Sequence, residues 1–350
     1  MSDAIAQAVQ ILRSGHLVAI PTETVYGLAA DATNPLAINK IFSTKGRPTG
    51  HPLIVHIADP GSTQLSQEEK HIAWERALSL WARDVPGEAL LLATAFWPGP
   101  LTMILPKAKH VLSEITGGQE TVGIRCPNHP VALELLSKFN GGLAAPSANK
   151  FGHVSPTTAE HVHDEFPDLF VLDGGSCHVG IESTIIDLTR LDHVGPVILR
   201  PGAISQEQID GVLGAVSSCA TKTSINTSAA GMPRVSGSLS AHYAPRTKLV
   251  LYRNETSLMN EHMKAGDELA WVHFDNFNKI KLPENLATSP CTEYVLPNNP
   301  VEMARNLYAT LRSLDKLNYK LIIFQDLPSG VAWDAVRDRL SRAAVGSGLI

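Results

Sequence analysis

Between Asp31 and Asp59 the sequence has no acidic residue, yet it places Lys40, Lys45, Arg47, His51 and His56 there. In a chain of formal net charge −5, so one-signed a stretch implies a solvated face or an anionic ligand. Arginine binds both carboxylates and phosphates through paired hydrogen bonds. Two more arginines share the setting of Arg47. Arg125 and Arg200 each end an apolar run with a proline one or two residues on, and Arg47 precedes Pro48. Proline ends regular strand pairing, so all three guanidinium groups are expected at the rim of a sheet. If the rims converge, they frame a pocket for phosphates and carboxylates. If they do not, each is a surface arginine with a local acid. Ser147 and Asn149, in PSANK, are short polar groups suited to a phosphate or a ribose, or to a turn that satisfies its own backbone.

These residues need elements that end together. Residues 17–20 form an apolar run closed by Pro21, and 53–57 a second run after Pro52. Between them, 22–31 reads as a loop, Asn34-Pro35 as helix cap and first helical residue, and Gly46 as the stop. Further strands are expected at 101–105, 121–124, 143–145, 169–172, 184–188 and 197–199. Helices are expected at 67–82, 88–96, 129–139, 157–165 and 204–213, with Ile72, Leu78 and Trp81 facing inward from the first. This mixture has no strict repeat and predicts an α/β fold, a twisted sheet of mixed direction flanked by helices. Ligands bind at strand ends in such sheets. A Ser/Thr/Ala/Gly-rich stretch at 216–240 reads as a linker or mobile loop. From 248 a new alternation begins, with a helix expected at 257–263 and a long one at 300–317. It predicts a smaller α/β, Rossmann-like C-terminal domain with a largely parallel sheet. The expected division is a catalytic domain over 1–213, a linker or lid over 214–247 and the small domain over 248–350.

Composition excludes several classes. At 350 residues, two domains are the expectation. A 44% hydrophobic and 18% charged content is that of a soluble globular protein, and mild acidity argues against a general nucleic-acid binder. Cys126, Cys177, Cys219 and Cys291 form no C-x-x-C pair and read as reduced thiols of a cytoplasmic protein. The first residues lack the pattern of a signal peptide, and no apolar run is long enough to cross a bilayer. There is no Gly-Lys dipeptide for a Walker A loop and no G-x-G-x-x-G after a strand. His161 and His163 are two apart on an expected helix, a poor chelate, so no protein-held metal site is expected. Ser147-x-x-Lys150 matches the acyl-enzyme S-x-x-K pattern only in isolation, because the accompanying K-T-G is missing.

PTETVYGL at 21–28, the KGRP turn at 45–48 and HPLIVHI at 51–57 together resemble the YrdC-type domain of threonylcarbamoyl-AMP synthases. Further matches follow in order: TVGIR ending at Arg125, PSAN with Ser147 and Asn149, IESTIID with Ser183, ILRPG with Arg200, and HYAP from His242. The resemblance extends more loosely into the C-terminal domain of the two-domain members. It implies a YrdC-like fold and a nucleotidyltransferase reaction. L-threonine, bicarbonate (or CO2) and ATP, with Mg2+ on the phosphates, would give threonylcarbamoyl-AMP and pyrophosphate. The product would pass to a tRNA threonylcarbamoyl transferase acting on an adenosine beside the anticodon, with tRNA contact weak or indirect. By the same resemblance, Lys45, Arg47, Ser147 and Asn149 form a catalytic tetrad. Thr24, His56, Arg125 and Ser183 would hold threonine, and Arg47, His51, Thr121, Ser147, Ser155, Arg200 and Tyr243 would face ATP. Such chemistry needs no covalent nucleophile, only positioning and cations for developing charge. The competing class is an RNA-binding module that uses the cationic cleft without adenylation. It lacks an obvious aromatic stacking surface near the basic residues.

Overall fold

The computed structural model describes residues 2–61, 64–214, 231–258, 261, 264, 266–275, 286 and 289–349. Residues 215–230 of the expected linker, Cys219 and part of the helix expected over 257–263 lie outside the described residues; Glu255–Leu258 form a 3-10 turn. The chain divides into two compact units. The first comprises Met1–Lys150, Pro156–His178 and Glu182–Ser238, the second Phe151–Ser155, Val179–Ile181 and Leu239–Ile350.

The first unit is built on eight strands: β1 (Val18–Ile20), β2 (Gly27–Asp31), β3 (Ile54–His56), β4 (Leu101–Pro106), β5 (Thr121–Arg125), β6 (Leu143–Ala144), β7 (Thr184–Asp187) and β8 (Val197–Arg200). They lie in the order β1-β2-β6-β3-β5-β4-β7-β8. The β3–β5 and β4–β7 pairs are parallel and the other five antiparallel, so the expected mixed-direction sheet is present. The helix Pro35–Lys45 sets the position of the basic turn. Asn34 Oδ1 accepts the N–H groups of Leu36 and Ala37, Pro35 opens the helix, and Gly46 closes it at φ 63°. Its Ile38, Ile41 and Phe42 are buried in the core, each contributing about 1.5–3 kcal/mol, so the direction of Lys45 and Arg47 is fixed by packing.

Three local expectations need correction. Residues 27–31 are not loop but strand β2, paired on both sides. GLAAD is poor in strand-forming side chains, and it is held as a strand by pairing with β1 and β6. A Cβ on Gly27 would lie 3.2 Å from that of Ala145. Residues 169–172 are not a strand; they make one bridge, with Ala19 and Leu172 N–H groups donating to Phe170 O and Ala19 O at 2.9 Å. In the helix Gln67–Ser79 the inward residues are Trp74 and Leu78, a turn apart, while Ile72 is 46% exposed because it lies about 200° around the helix from Trp74.

The second unit has four strands, β9 (Lys248–Tyr252), β10 (Leu269–Phe274), β11 (Cys291–Leu296) and β12 (Leu321–Gln325), in the order β11-β10-β12-β9 and all parallel. The helix Pro300–Lys316, capped by Asn299, buries Met303, Leu307, Leu311 and Leu314. It is followed by β12 and the helix Asp334–Gly346.

Candidate active site

The loop Pro21–Tyr26 joins β1 to β2, and Thr22 braces it. Its hydroxyl donates to Val25 O at 2.6 Å, and its Oγ1 accepts the N–H groups of Thr24 and Val25 at 3.2 Å. With that hydrogen committed, the 2.9 Å contact between the two hydroxyls is Thr24 donating to Thr22. Thr24 Oγ1 then accepts from Arg125 Nη1 at 2.9 Å and keeps a lone pair. Arg125 ends β5 in register with His56 of β3. Its Nε donates to Gly99 O at 3.3 Å, and its Nη2 pairs with Glu23 Oε1 at 2.7 Å. Gly99-Pro100 leads on to β7, where Pro100 O accepts the Thr184 N–H. There Ser183 Oγ lies 2.7 Å from Thr102 Oγ1 and accepts from Arg200 Nη2 at 3.2 Å. Arg200 also grips Ser183 O through Nε and Nη2.

Arg200 and Arg47 come together through residues the sequence reading missed. Arg200 Nη1 donates to Ser236 O at 2.9 Å, and Arg47 Nη2 to Ser236 Oγ at 3.4 Å and to Pro52 O at 2.9 Å. This segment, read from sequence as linker, belongs to the first unit. Val235 packs on Ile104 and Ile185, and Arg234 exchanges hydrogen bonds with Gln119. Arg234, Val235 and Ser236 line a cleft with Thr121, Gly123 and Ile54. Its only sequence signal is composition, which describes a linker equally well. Lys45 belongs to a second cluster, where its Nζ donates to Ser147 O at 2.5 Å and to Asn149 O. It fastens the PSAN loop by its carbonyls. Lys40 is elsewhere, donating to Gly15 O at 2.6 Å.

The arginines are not at an exposed rim. Arg47, Arg125 and Arg200 are 6%, 4% and 3% exposed, each hydrogen-bonded to residues of other segments or of the turn that follows it. So much buried positive charge perturbs its neighbours. Burial, and then the charge of Arg47, pushes Lys45 well below its ordinary value, against a smaller opposing effect of Glu165. Burial first and Arg125 second push His56 down to about 3, so its imidazole is neutral across the physiological range. The same two influences, with Arg47 and Arg234 as the charges, lower His51. His56 makes the fold acid-sensitive. Its value is depressed on folding, so its contribution is full above the unfolded value of about 6.5 and is lost as pH falls from there toward 3. At pH 4 this amounts to a loss on the order of 3 kcal/mol. His56→Asn is therefore expected to flatten the fall in urea-measured stability between pH 6.5 and 4 by about one proton's worth of slope. An unchanged slope would place the acid sensitivity elsewhere.

Two of the expected ATP residues lie in the second unit. Ser155 O accepts from Arg312 Nε at 3.4 Å, and Tyr243, at φ 59° and 1% exposed, stacks on Tyr308 with the Arg339 guanidinium 5.4 Å from its ring centroid. His161 Nδ1 lies 3.3 Å from the Thr157 hydroxyl, a structural role. Among the described residues, no group of three or more His, Cys, Asp or Glu side chains is placed to hold a metal. No described helix is long and apolar enough to cross a membrane.

Buried arginines and hydroxyls gathered at the strand ends of a mixed sheet make an α/β domain whose site suits small anions. Residues 10–202 match the Sua5/YciO/YrdC family, described as telomere recombination, and residues 204–345 match the threonylcarbamoyl-AMP synthase C-terminal domain. The chain belongs to the threonylcarbamoyl-AMP synthase family. The threonylcarbamoyl-AMP synthase of Pyrococcus abyssi is 35% identical over 339 residues, which cover 96% of this chain and 93% of the relative. That of Bacillus subtilis is 37% identical, over 98% of this chain and 93% of the relative. The crystal structure of Pyrococcus abyssi Sua5 complexed with L-threonine superposes with a TM-score of 0.77 at 33% identity, covering 98% of this chain and 94% of that one.

Proposed function

We infer that the first unit joins L-threonine, bicarbonate and ATP into threonylcarbamoyl-AMP, releasing pyrophosphate. The observation that carries this reading is the chain of contacts from Thr24 and Arg125 through Gly99-Pro100 to Ser183, Arg200, Ser236 and Arg47. It provides one end suited to an amino acid and another suited to phosphates. Arg125 takes the threonine carboxylate, with Thr24, neutral His56 and Ser183 around the rest of the molecule. The α-ammonium gives up a proton to solvent, the resulting amine adds to bicarbonate to give the carbamate and water, and a carbamate oxygen attacks the α-phosphorus of ATP. Negative charge grows on the departing pyrophosphate, where Arg47 and Arg200 stabilise it and His51, Thr121 and Ser147 complete the contacts. Lys45 and Asn149 hold the PSAN loop in place. ATP enters as its Mg2+ complex, the metal riding on the phosphates. The product, a mixed anhydride, passes in the cytoplasm to a transferase that modifies tRNA. An RNA-binding module fits less well, because phosphate backbones are held by exposed cations and these arginines are buried.

Amino-acid choice tests the reading. A site that hydrogen-bonds the substrate hydroxyl rejects valine, a near-isostere, because buried polar groups lose their partner. Serine keeps the hydroxyl and loses a methyl worth about 1 kcal/mol. Pyrophosphate release is expected to fall in the order threonine, serine, valine. Valine turning over as fast as threonine would remove the threonine assignment.

A further inference from the structure

The surroundings of Glu23 are unusual. It is 1% exposed, on the loop that also carries Thr24. Oε1 lies 2.7 Å from Arg125 Nη2 as an ion pair, but neither carboxylate oxygen, Oε1 nor Oε2, has a partner in hydrogen-bond geometry among the described residues. A buried ionised carboxylate costs several kcal/mol unless its lone pairs are used, so one held by an ion pair alone is a place where a donor is missing. The neighbours do not supply it. Burial and the charge of Glu23 push the Cys177 thiol up to about 12, and burial raises Cys126 well above its ordinary value, so both keep their S–H, but neither makes a hydrogen bond to Glu23. His129, the nearby imidazole, is lowered by burial and has its Nε2 3.3 Å from Gly174 O.

Charge balance indicates the kind of donor. With Glu23 paired to it, Arg125 offers an incoming carboxylate a site of no net charge, so the attraction of a simple carboxylate is offset by Glu23 2.7 Å from the guanidinium. A ligand carrying both charges meets no such penalty. We propose that Glu23 and Arg125 form a clamp for a free amino acid, Arg125 taking the α-carboxylate and Glu23 Oε2 the α-ammonium. The clamp deepens the threonine reading and rests on it. Such a clamp selects a free amino acid over a hydroxy acid of the same shape, a choice that a lone arginine cannot make.

The test is calorimetric binding to the full chain, with MgATP present, of L-threonine and of (R)-3-hydroxybutanoate, which lacks only the amino group. The wild-type protein is expected to prefer threonine by about 10- to 100-fold, the range of a charge-assisted hydrogen bond. Glu23→Gln is expected to weaken threonine by a similar factor and leave 3-hydroxybutanoate unchanged or tighter. Equal weakening of both would mean that Glu23 merely positions Arg125, and unchanged threonine binding would mean that it does neither; each result overturns the clamp. If Glu23→Gln fails to fold, the wild-type comparison decides, since equal affinity for the two ligands overturns the clamp by itself. A wild-type protein that binds neither ligand overturns the threonine reading and the clamp with it, whereas failure of the clamp alone leaves threonine binding intact.

Discussion

Arg125→Ala is expected to lower stability by about 3–5 kcal/mol and to abolish threonine-dependent turnover. The stability loss follows from the burial of both partners: Glu23 and Arg125 side chains are 1% and 5% exposed and 2.7 Å apart. Removing one member leaves an uncompensated charge in a site that water does not reach, and the penalty is desolvation rather than a lost attraction. A second variant separates the two effects. Replacing the pair together, Glu23→Leu with Arg125→Met, removes both charges and is expected to recover most of the stability while activity stays absent. Urea unfolding at pH 7 measures the first effect and pyrophosphate release the second. A single mutant that loses less than about 1 kcal/mol would behave like an exposed ion pair, contrary to the geometry.

Arg47→Ala is expected to reduce kcat/KM about 10- to 100-fold, corresponding to the loss of charge-assisted hydrogen bonds worth roughly 1.5–3 kcal/mol. Arg47 also donates to Pro52 O and touches Ser236, so the variant should be measurably less stable, and rates must be compared per folded molecule. Arg47→Lys keeps the charge but loses the planar fork, and is expected to fall between the two. Normal turnover in a folded Arg47→Ala protein would take Arg47 out of the site.

Much of this was legible in the sequence where local chemistry decides structure. Asn34-Pro35 and Gly46 fix a helix by capping alone, and the observed cap bonds are those the residues imply. The mixed sheet and the parallel second sheet followed from the alternation of apolar runs. What was not legible depends on partners remote in sequence. Strand β2, GLAAD, is poor in strand-forming side chains, and the close approach of Ala145 to Gly27 comes from far along the chain. The three arginines were expected at a rim because proline ends the strands, but proline does not reveal whether a loop then covers the side chain. Ser236 could not be distinguished from linker, because its significance lies in contacts with Arg47 and Arg200, 189 and 36 residues away. Glu23 stands within a recognisable motif, but its burial against Arg125 without a hydrogen-bond partner depends on contacts 102 residues away and has no local signature.

The most direct test of the central claim is pyrophosphate release from ATP by the purified full chain, with threonine and bicarbonate each supplied or withheld in CO2-depleted buffer. The account predicts rapid release only when both are present, because the attacking group is the carbamate that the two form together. Release with ATP alone, or at the same rate without bicarbonate, would contradict it.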